Sequence, residues 1–278
     1  MSVEDTLVQL EGKKVIITGV STGIGKELMK QTRDHGGVAV GTFFSTQPED
    51  YDPKRHIKMD AGETAARQVE INASVLFELV GGMPDVVIYN AGRMGSSHYF
   101  DKVQLTERAA QWQDVLATNV VGPVLLYHTI VEATGHKHHA VHTFTGSVGR
   151  VVLEKIHERG EGLPPGNLAI DPYAVSRTAT WQIGHDVNDE IMFRRTVMKE
   201  DIGTRIAVVE YQFVPSRVGD GVVKGLGVPH NEAAASLTPH GKPVSPEVVA
   251  KLGLGYILDR YNAEPGAKMG DTLIPPRK

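Results

Sequence analysis

The sequence predicts an α/β protein, a doubly wound parallel sheet covered by helices on both faces in three layers. Three observations carry this expectation. Short β-branched runs alternate along the chain with longer stretches of helical periodicity. The runs are apolar throughout rather than on alternate residues, as strands buried on both faces are. The first run also ends in a glycine-rich turn that opens directly into a helical stretch.

The first strand is expected in "KKVIITG" (13–19), a compact β-branched run closed by glycine. "GVAVGTFF" (37–44), "HIKMD" (56–60), "DVVIYNAG" (85–92), "HAVHTFTGS" (139–147) and "RIAVVEYQF" (205–213) read the same way. Helical spacing of apolar residues falls over Ile24–Asp34, Ala65–Val80, Trp112–Thr134 and Tyr173–Met192. No repeat or linker interrupts the pattern, so residues 1–278 are expected to form a single domain. Loops rich in Pro and Gly occur mainly at 159–166 and 215–243, and the irregular stretch 213–243 is long enough to cover a binding site.

Composition narrows the function. With 41% hydrophobic and 22% charged residues in 278, the chain suits a soluble globular protein with a full-sized core. A net charge of −4 and a pI of about 6.3 give no basic surface, so a nucleic-acid partner is not expected. The absence of cysteine removes disulfides, thiolate catalysis and Cys-ligated metal. The N-terminus "MSVEDTLVQLEGKK" is acidic, and no run reaches the roughly 20 apolar residues of a membrane span, so a cytoplasmic protein away from membranes is expected. The cluster "HKHHAVH" (136–142) reads as a solvated loop before the fifth strand rather than a zinc site, and "FRRTVMKE" (193–200) as the charged end of a helix.

Two stretches carry chemistry. In "TGVSTGIGKEL" (18–28), Gly19, Gly23 and Gly25 stand at the turn between the first strand and the first long helix. Glycines there let the main chain come close to a phosphate, and the helix start offers free N–H groups and positive dipole to it. This is a Rossmann-type dinucleotide turn with glycine spacing different from G-x-G-x-x-G. In "DPYAVSR" (171–177), Tyr173 and Arg177 are four positions apart, on one face of a helix. A free tyrosine is protonated at neutral pH, and a fixed neighbouring cation favours the phenolate, so the pair is either a general acid/base or a surface Tyr and Arg on a helix; taken alone the stretch favours the second, and the rest of the chain decides.

Taken with the remaining motifs, the sequence resembles the short-chain dehydrogenase/reductase family over nearly its whole length. "TGVSTGIG" (18–25) is similar to that family's T-G-x-x-x-G-x-G, and "YNAG" (89–92) to its N-N-A-G. Asn119 in "ATNVVGP" stands where the family has a helix asparagine, and Ser147 in "TGSVG" where it has its catalytic serine. Tyr173 and Arg177 fall on Y-x-x-x-K, Asp60 on the acidic residue after the third strand, and "KMGDTLIPP" near the closing motif.

The resemblance implies roles. Tyr173 would exchange the proton with a carbonyl oxygen, Ser147 would hold that oxygen with Thr145 as the fallback hydroxyl, and Asn119 would hold a water leading to solvent. Arg177 would supply the charge beside Tyr173 and, with it, touch the cofactor ribose. Gly19, Ser21, Thr22, Gly23, Ile24 and Gly25 would face the cofactor phosphates. Phe43, Phe44, Asp60 and Ala61 would surround the adenosine, Asn90, Ala91 and Gly92 would line the cofactor with backbone, and Val214 and Ser216 would meet the nicotinamide side. With Phe43 at the position where NAD-dependent members have an acid, NADP is the expected cofactor, NAD the alternative.

The departures are Arg177 for the lysine, Tyr211-Gln212 for proline-glycine, and an insertion at 148–172 between Ser147 and Tyr173. The leading expectation is an NAD(P)-dependent enzyme interconverting an alcohol with a ketone or aldehyde on a small or medium organic substrate. A redox-neutral relative (epimerase, dehydratase or lyase) and a cofactor-sensing protein are the alternatives. Val120, Val124, Leu125, Trp181 and Ile183 give the two helices through which relatives pair extra apolar surface, so a homodimer or homotetramer is expected.

Overall fold

The protein is described from a computed structural model covering residues 3–94, 104–147, 171–211 and 244–269. Six strands form one parallel sheet: β1 (Lys14–Ile17), β2 (Val38–Phe43), β3 (His56–Lys58), β4 (Val86–Tyr89), β5 (Val141–Ser147) and β6 (Arg205–Tyr211). Their order is β3-β2-β1-β4-β5-β6, every neighbouring pair parallel, with Ile16 of β1 opposite Val40 on one side and Val87 on the other. The expected α/β architecture is therefore present as a Rossmann fold. The chain winds outward from β1 to β3, returns to β4, and winds outward again. The carboxyl ends of β1 and β4 consequently diverge into a crevice, the usual ligand position in such sheets.

Alternate strand residues feed the two layers. Val15 and Ile17 of β1 and Val209 of β6 join Leu28 and Met29 of α2 (Gly23–Asp34) on one face. Ile16 and Val208 join residues of α3 (Ala66–Val80), α5 (Gly122–Thr134) and α6 (Asp171–Thr196) on the other. Two helices absent from the sequence reading complete the first face: α1 (Val3–Leu7) and α7 (Pro246–Asn262). Ser245 caps α7 by accepting from the Val248 N–H at 3.3 Å, and Pro246 occupies its first turn.

The helix expected from Trp112 starts earlier, as α4 (Leu105–Leu116), and runs through one π-helical turn, Ala117–Val121, into α5. By length and composition, Leu105–Thr134 could cross a membrane, against the expectation that no stretch would. Half of its apolar window is buried, and Leu126, Tyr127, Ile130 and Val131 pack on the sheet as a core helix does.

The histidine cluster also differs from expectation. His138 and His139 face the carbonyls of Pro84 and Tyr261, at 2.8 and 3.0 Å, whereas His142 lies inside β5. There it shares a 2.9 Å hydrogen bond with the Tyr89 hydroxyl in the core. Burial, with His138 adding to it, pushes His142 down to about 3. A strand that alternates faces carries the last histidine of the run inward, which a linear cluster does not reveal.

Candidate active site

The β1–α2 turn and the turn after β4 are fastened together. Gly19 takes a φ of +74° and Gly23 one of +59°, conformations open to glycine. Asn90 Nδ2 donates to the carbonyls of Thr18 and Gly19 at 3.1 and 3.0 Å, and the Ala91 N–H donates to Thr18 Oγ1 at 3.0 Å. A side chain at Gly25 would collide with the Gly19 carbonyl and press on Asn90. Thr22 precedes α2 without a side-chain cap, so the first-turn N–H groups are left to other acceptors. Ser21 turns away from them and donates to the Thr46 carbonyl at 2.5 Å. Ile24 packs against the core.

Phe43 is buried and meets Tyr51 edge-on, with ring centroids 5.6 Å apart. Phe44 is 43% exposed, and the Arg93 guanidinium lies over its ring at 5.6 Å. Asp60 accepts from the Gly62 N–H at 2.8 Å. With Ala61 it lines a cleft shared with Thr18, Tyr89 and Pro123. Arg93 was not singled out by the sequence reading, although it directly follows Asn90-Ala91-Gly92. It forms an ion pair with Asp114, which favours its charged form.

The other wall belongs to α6. Arg177 is 5% exposed, and its guanidinium points inward. One terminal nitrogen donates to the Thr145 carbonyl at 2.9 Å and to Thr145 Oγ1 at 3.1 Å, and the other to the Ala91 carbonyl at 3.3 Å. Its Nε is buried with no hydrogen-bond partner among the described residues. The guanidinium carbon stands 5.3 Å from the Tyr173 ring centroid, so the expected pair is adjacent. It also fills the space beside Gly92, where a side chain would collide with it.

Asn119 sits in the π-helical turn, fully buried. Its Oδ1 accepts from the Arg93 N–H at 2.7 Å, and its Nδ2 donates to the Arg93 carbonyl at 2.9 Å and to Ser176 Oγ at 2.8 Å. Ser176 in turn donates to the Tyr173 carbonyl at 2.7 Å, and Thr180 Oγ1 donates to the Asn119 carbonyl at 2.9 Å. Asn119 thus ties the turn after β4 to the start of α6. Ser147 ends β5 in register with Tyr211.

Tyr211 packs in the core against Gly253 of α7, and burial pushes its phenol up although the Arg177 charge opposes. Val214, Ser216, the 213–243 loop and all of the insertion except residues 171–172 lie outside the described residues.

Gly19, Asn90, Ala91, Gly92, Asn119, Tyr173 and Arg177 thus converge at the carboxyl ends of β1, β4 and β5. No family model matches the chain. Over 117 residues it is 26% identical to the 3-oxoacyl-(acyl-carrier-protein) reductase FabG of Vibrio cholerae, a match spanning 41% of this chain and 46% of that enzyme's length. Its structure is similar to a short-chain dehydrogenase from Burkholderia cenocepacia in complex with NADP, with TM-score 0.67, 18% identity, and 95% and 96% of the two chains covered. It is also similar to a variant short-chain dehydrogenase/reductase of Serratia marcescens, with TM-score 0.65, 16% identity, and coverage of 95% and 97%. The ligand-free aldohexose dehydrogenase of Thermoplasma acidophilum gives TM-score 0.65 and 16% identity, with 96% and 93% covered. The chain therefore has the fold of the short-chain dehydrogenases/reductases, the family its sequence motifs resemble.

Proposed function

We propose that the protein is an NAD(P)-dependent oxidoreductase that interconverts an alcohol and a ketone or aldehyde on a small or medium organic substrate. The observation that carries this reading is the placement of Tyr173 and the buried Arg177 charge beside a glycine-walled crevice. The residues fit a dinucleotide. The start of α2 has no side-chain cap, Gly25 leaves room only for the main chain, and Arg177 Nε is a buried donor without an acceptor among the described residues. NADP is the preferred cofactor, because Phe43 and Phe44 put no carboxylate at the end of β2 to repel a 2′-phosphate. When bound, the nicotinamide gives or accepts the hydride.

The chain's own residues do the rest. In the reductive direction Tyr173 gives its hydroxyl proton to the substrate oxygen, and in the oxidative direction it takes one. Ser147 holds the same oxygen by a hydrogen bond. Arg177 keeps a permanent charge against the Tyr173 ring and holds the Ala91 carbonyl, fixing the turn that borders the cofactor. Asn119 keeps that turn and the start of α6 in register. Val214, Ser216 and the 213–243 loop are assigned to the nicotinamide and substrate side. Exposed Val121 and Val175, beside half-buried Val120, Val124 and Ile183, support pairing through α4–α6 in a homodimer or homotetramer, whereas Leu125 and Trp181 pack partly on the core of their own chain; the enzyme is assigned to the cytoplasm.

The test follows reduced-nicotinamide absorbance with a panel of aldehydes and ketones. Turnover with at least one substrate is expected, with Tyr173→Phe losing about 1,000-fold or more while retaining cofactor affinity. Tight cofactor binding without redox change across the panel would instead favour a redox-neutral enzyme or a cofactor sensor.

A further inference from the structure

Thr143 and Thr145 stand two residues apart in β5, on one face of the strand, yet their hydroxyls fare very differently. Thr143 Oγ1 is buried with no hydrogen-bond partner among the described residues. The Thr145 hydroxyl, in a residue 1% exposed, is engaged on two sides. It donates to the Tyr89 carbonyl of β4 at 2.8 Å and accepts from the Arg177 guanidinium at 3.1 Å. A hydroxyl has one proton to give, so the bond to Tyr89 orients the group and leaves its lone pairs to the guanidinium.

Arg177 is gripped chiefly by this one residue. A single terminal nitrogen meets both oxygens of Thr145, the carbonyl at 2.9 Å as well as the hydroxyl. The other terminal nitrogen makes a longer contact of 3.3 Å with the Ala91 carbonyl. So held, the guanidinium carbon stands 5.3 Å from the Tyr173 ring centroid. A side chain with this many torsions has other rotamers that would carry the charge away from the ring. A planar fork seated on two oxygens of one residue selects among them by direction as well as by charge.

We infer that Thr145 is a positioning residue for the proposed proton exchange: its hydroxyl, oriented by the Tyr89 carbonyl, fixes the Arg177 charge against Tyr173. This deepens the proposed function and rests on it. Thr145 touches neither substrate nor cofactor in this role. Its one proton is committed to Tyr89, which leaves the substrate oxygen to Ser147, and its effect on turnover passes through Arg177.

The experiment measures steady-state turnover of the full chain by reduced-nicotinamide absorbance, with the best substrate of the carbonyl panel. Thr145→Val, which keeps the shape and loses the hydroxyl, is expected to lower kcat about tenfold, the worth of one hydrogen bond to a charged group. KM for the substrate should move by less than about twofold. Thr145→Ser returns the hydroxyl and should recover kcat to within about twofold of wild type. Thr145→Ala should lose the same factor as the valine variant, and it carries the test should that variant fail to fold, with thermal midpoints reporting folding. In an Arg177→Lys background, where the ammonium lacks the fork, Thr145→Val should cost less than about threefold. A threonine that only satisfied the Tyr89 carbonyl would cost the same in both backgrounds, and that result would overturn the inference. So would an unchanged kcat in Thr145→Val, or a loss that Thr145→Ser does not recover. Each of these leaves the oxidoreductase reading intact. Wild-type protein without turnover on any substrate would overturn the reading and the inference together.

Discussion

Gly25 and Gly92 border the same crevice, one in the first turn of α2 and one after β4, yet different things occupy the space that each leaves. Beside Gly25 it is main chain, the carbonyl of Gly19, with the Asn90 side chain behind it. Beside Gly92 the three nearest atoms all belong to one side chain, the Arg177 guanidinium. Backbone cannot retreat without undoing the β1–α2 turn, whereas a side chain can be exchanged. The β1 side of the crevice is therefore fixed by the fold itself, and the α6 side by a choice of residue that belongs to this chain.

The largest effect that would test this contrast is Gly25→Ala. The added methyl strikes the Gly19 carbonyl, so dinucleotide binding should disappear and stability should fall by about 3 kcal/mol. Fluorescence titration and urea unfolding would measure the two losses. No single second-site change is expected to restore either, and a tolerated Gly25→Ala would show that the turn is more pliable than its packing implies.

Gly92→Ala should be milder and, unlike Gly25→Ala, repairable. The methyl must displace a guanidinium held by Thr145 and Ala91, at a cost of about 2 kcal/mol and a drop in turnover. Gly92 carries no positive φ, so the backbone itself accepts alanine. In an Arg177→Lys background the obstruction is gone, and adding Gly92→Ala should then change stability by less than about 0.5 kcal/mol. A Gly92→Ala penalty of equal size in both backgrounds would mean that the turn, not Arg177, excludes the side chain.

The smallest effect separates the two ends of β5. Thr145 and Ser147 end the strand at the crevice, while His142, nearer its start, serves only the core. His142 is held near 3 in the folded protein, against 6.5 when free. The unfolded chain therefore binds a proton that the folded one refuses. Stability from this residue is complete above about pH 6.5 and falls as pH drops toward 3, by about 2 kcal/mol at pH 5. His142→Leu should remove that part of the slope in urea unfolding at pH 7 and 5 while leaving cofactor affinity at pH 7 as it was. A slope unchanged by the substitution would place the acid sensitivity elsewhere.

Much of this molecule follows from local pattern. The six parallel strands are the six apolar runs, because a strand buried on both faces needs no partner information to be recognised. Gly19, Gly23 and Gly25 mark the β1–α2 turn because positive φ and close approach exclude other residues wherever they occur. The adjacency of Tyr173 and Arg177 follows from helical spacing alone. By contrast, α7 escaped notice because its buried residues, among them Ala250, Leu254, Ile257 and Leu258, include two glycines, Gly253 and Gly255, and lie beyond the irregular stretch that dominates that part of the sequence.

Only the tertiary structure decided what Arg177 and Arg93 face. Thr145 and Ala91 are 32 and 86 residues from Arg177, and Asn119 is 26 from Arg93. A long, cationic side chain takes its direction from whichever acceptors and rings the sheet order brings within reach. That order sets β4 beside β1 and β5, and no spacing along the chain encodes it.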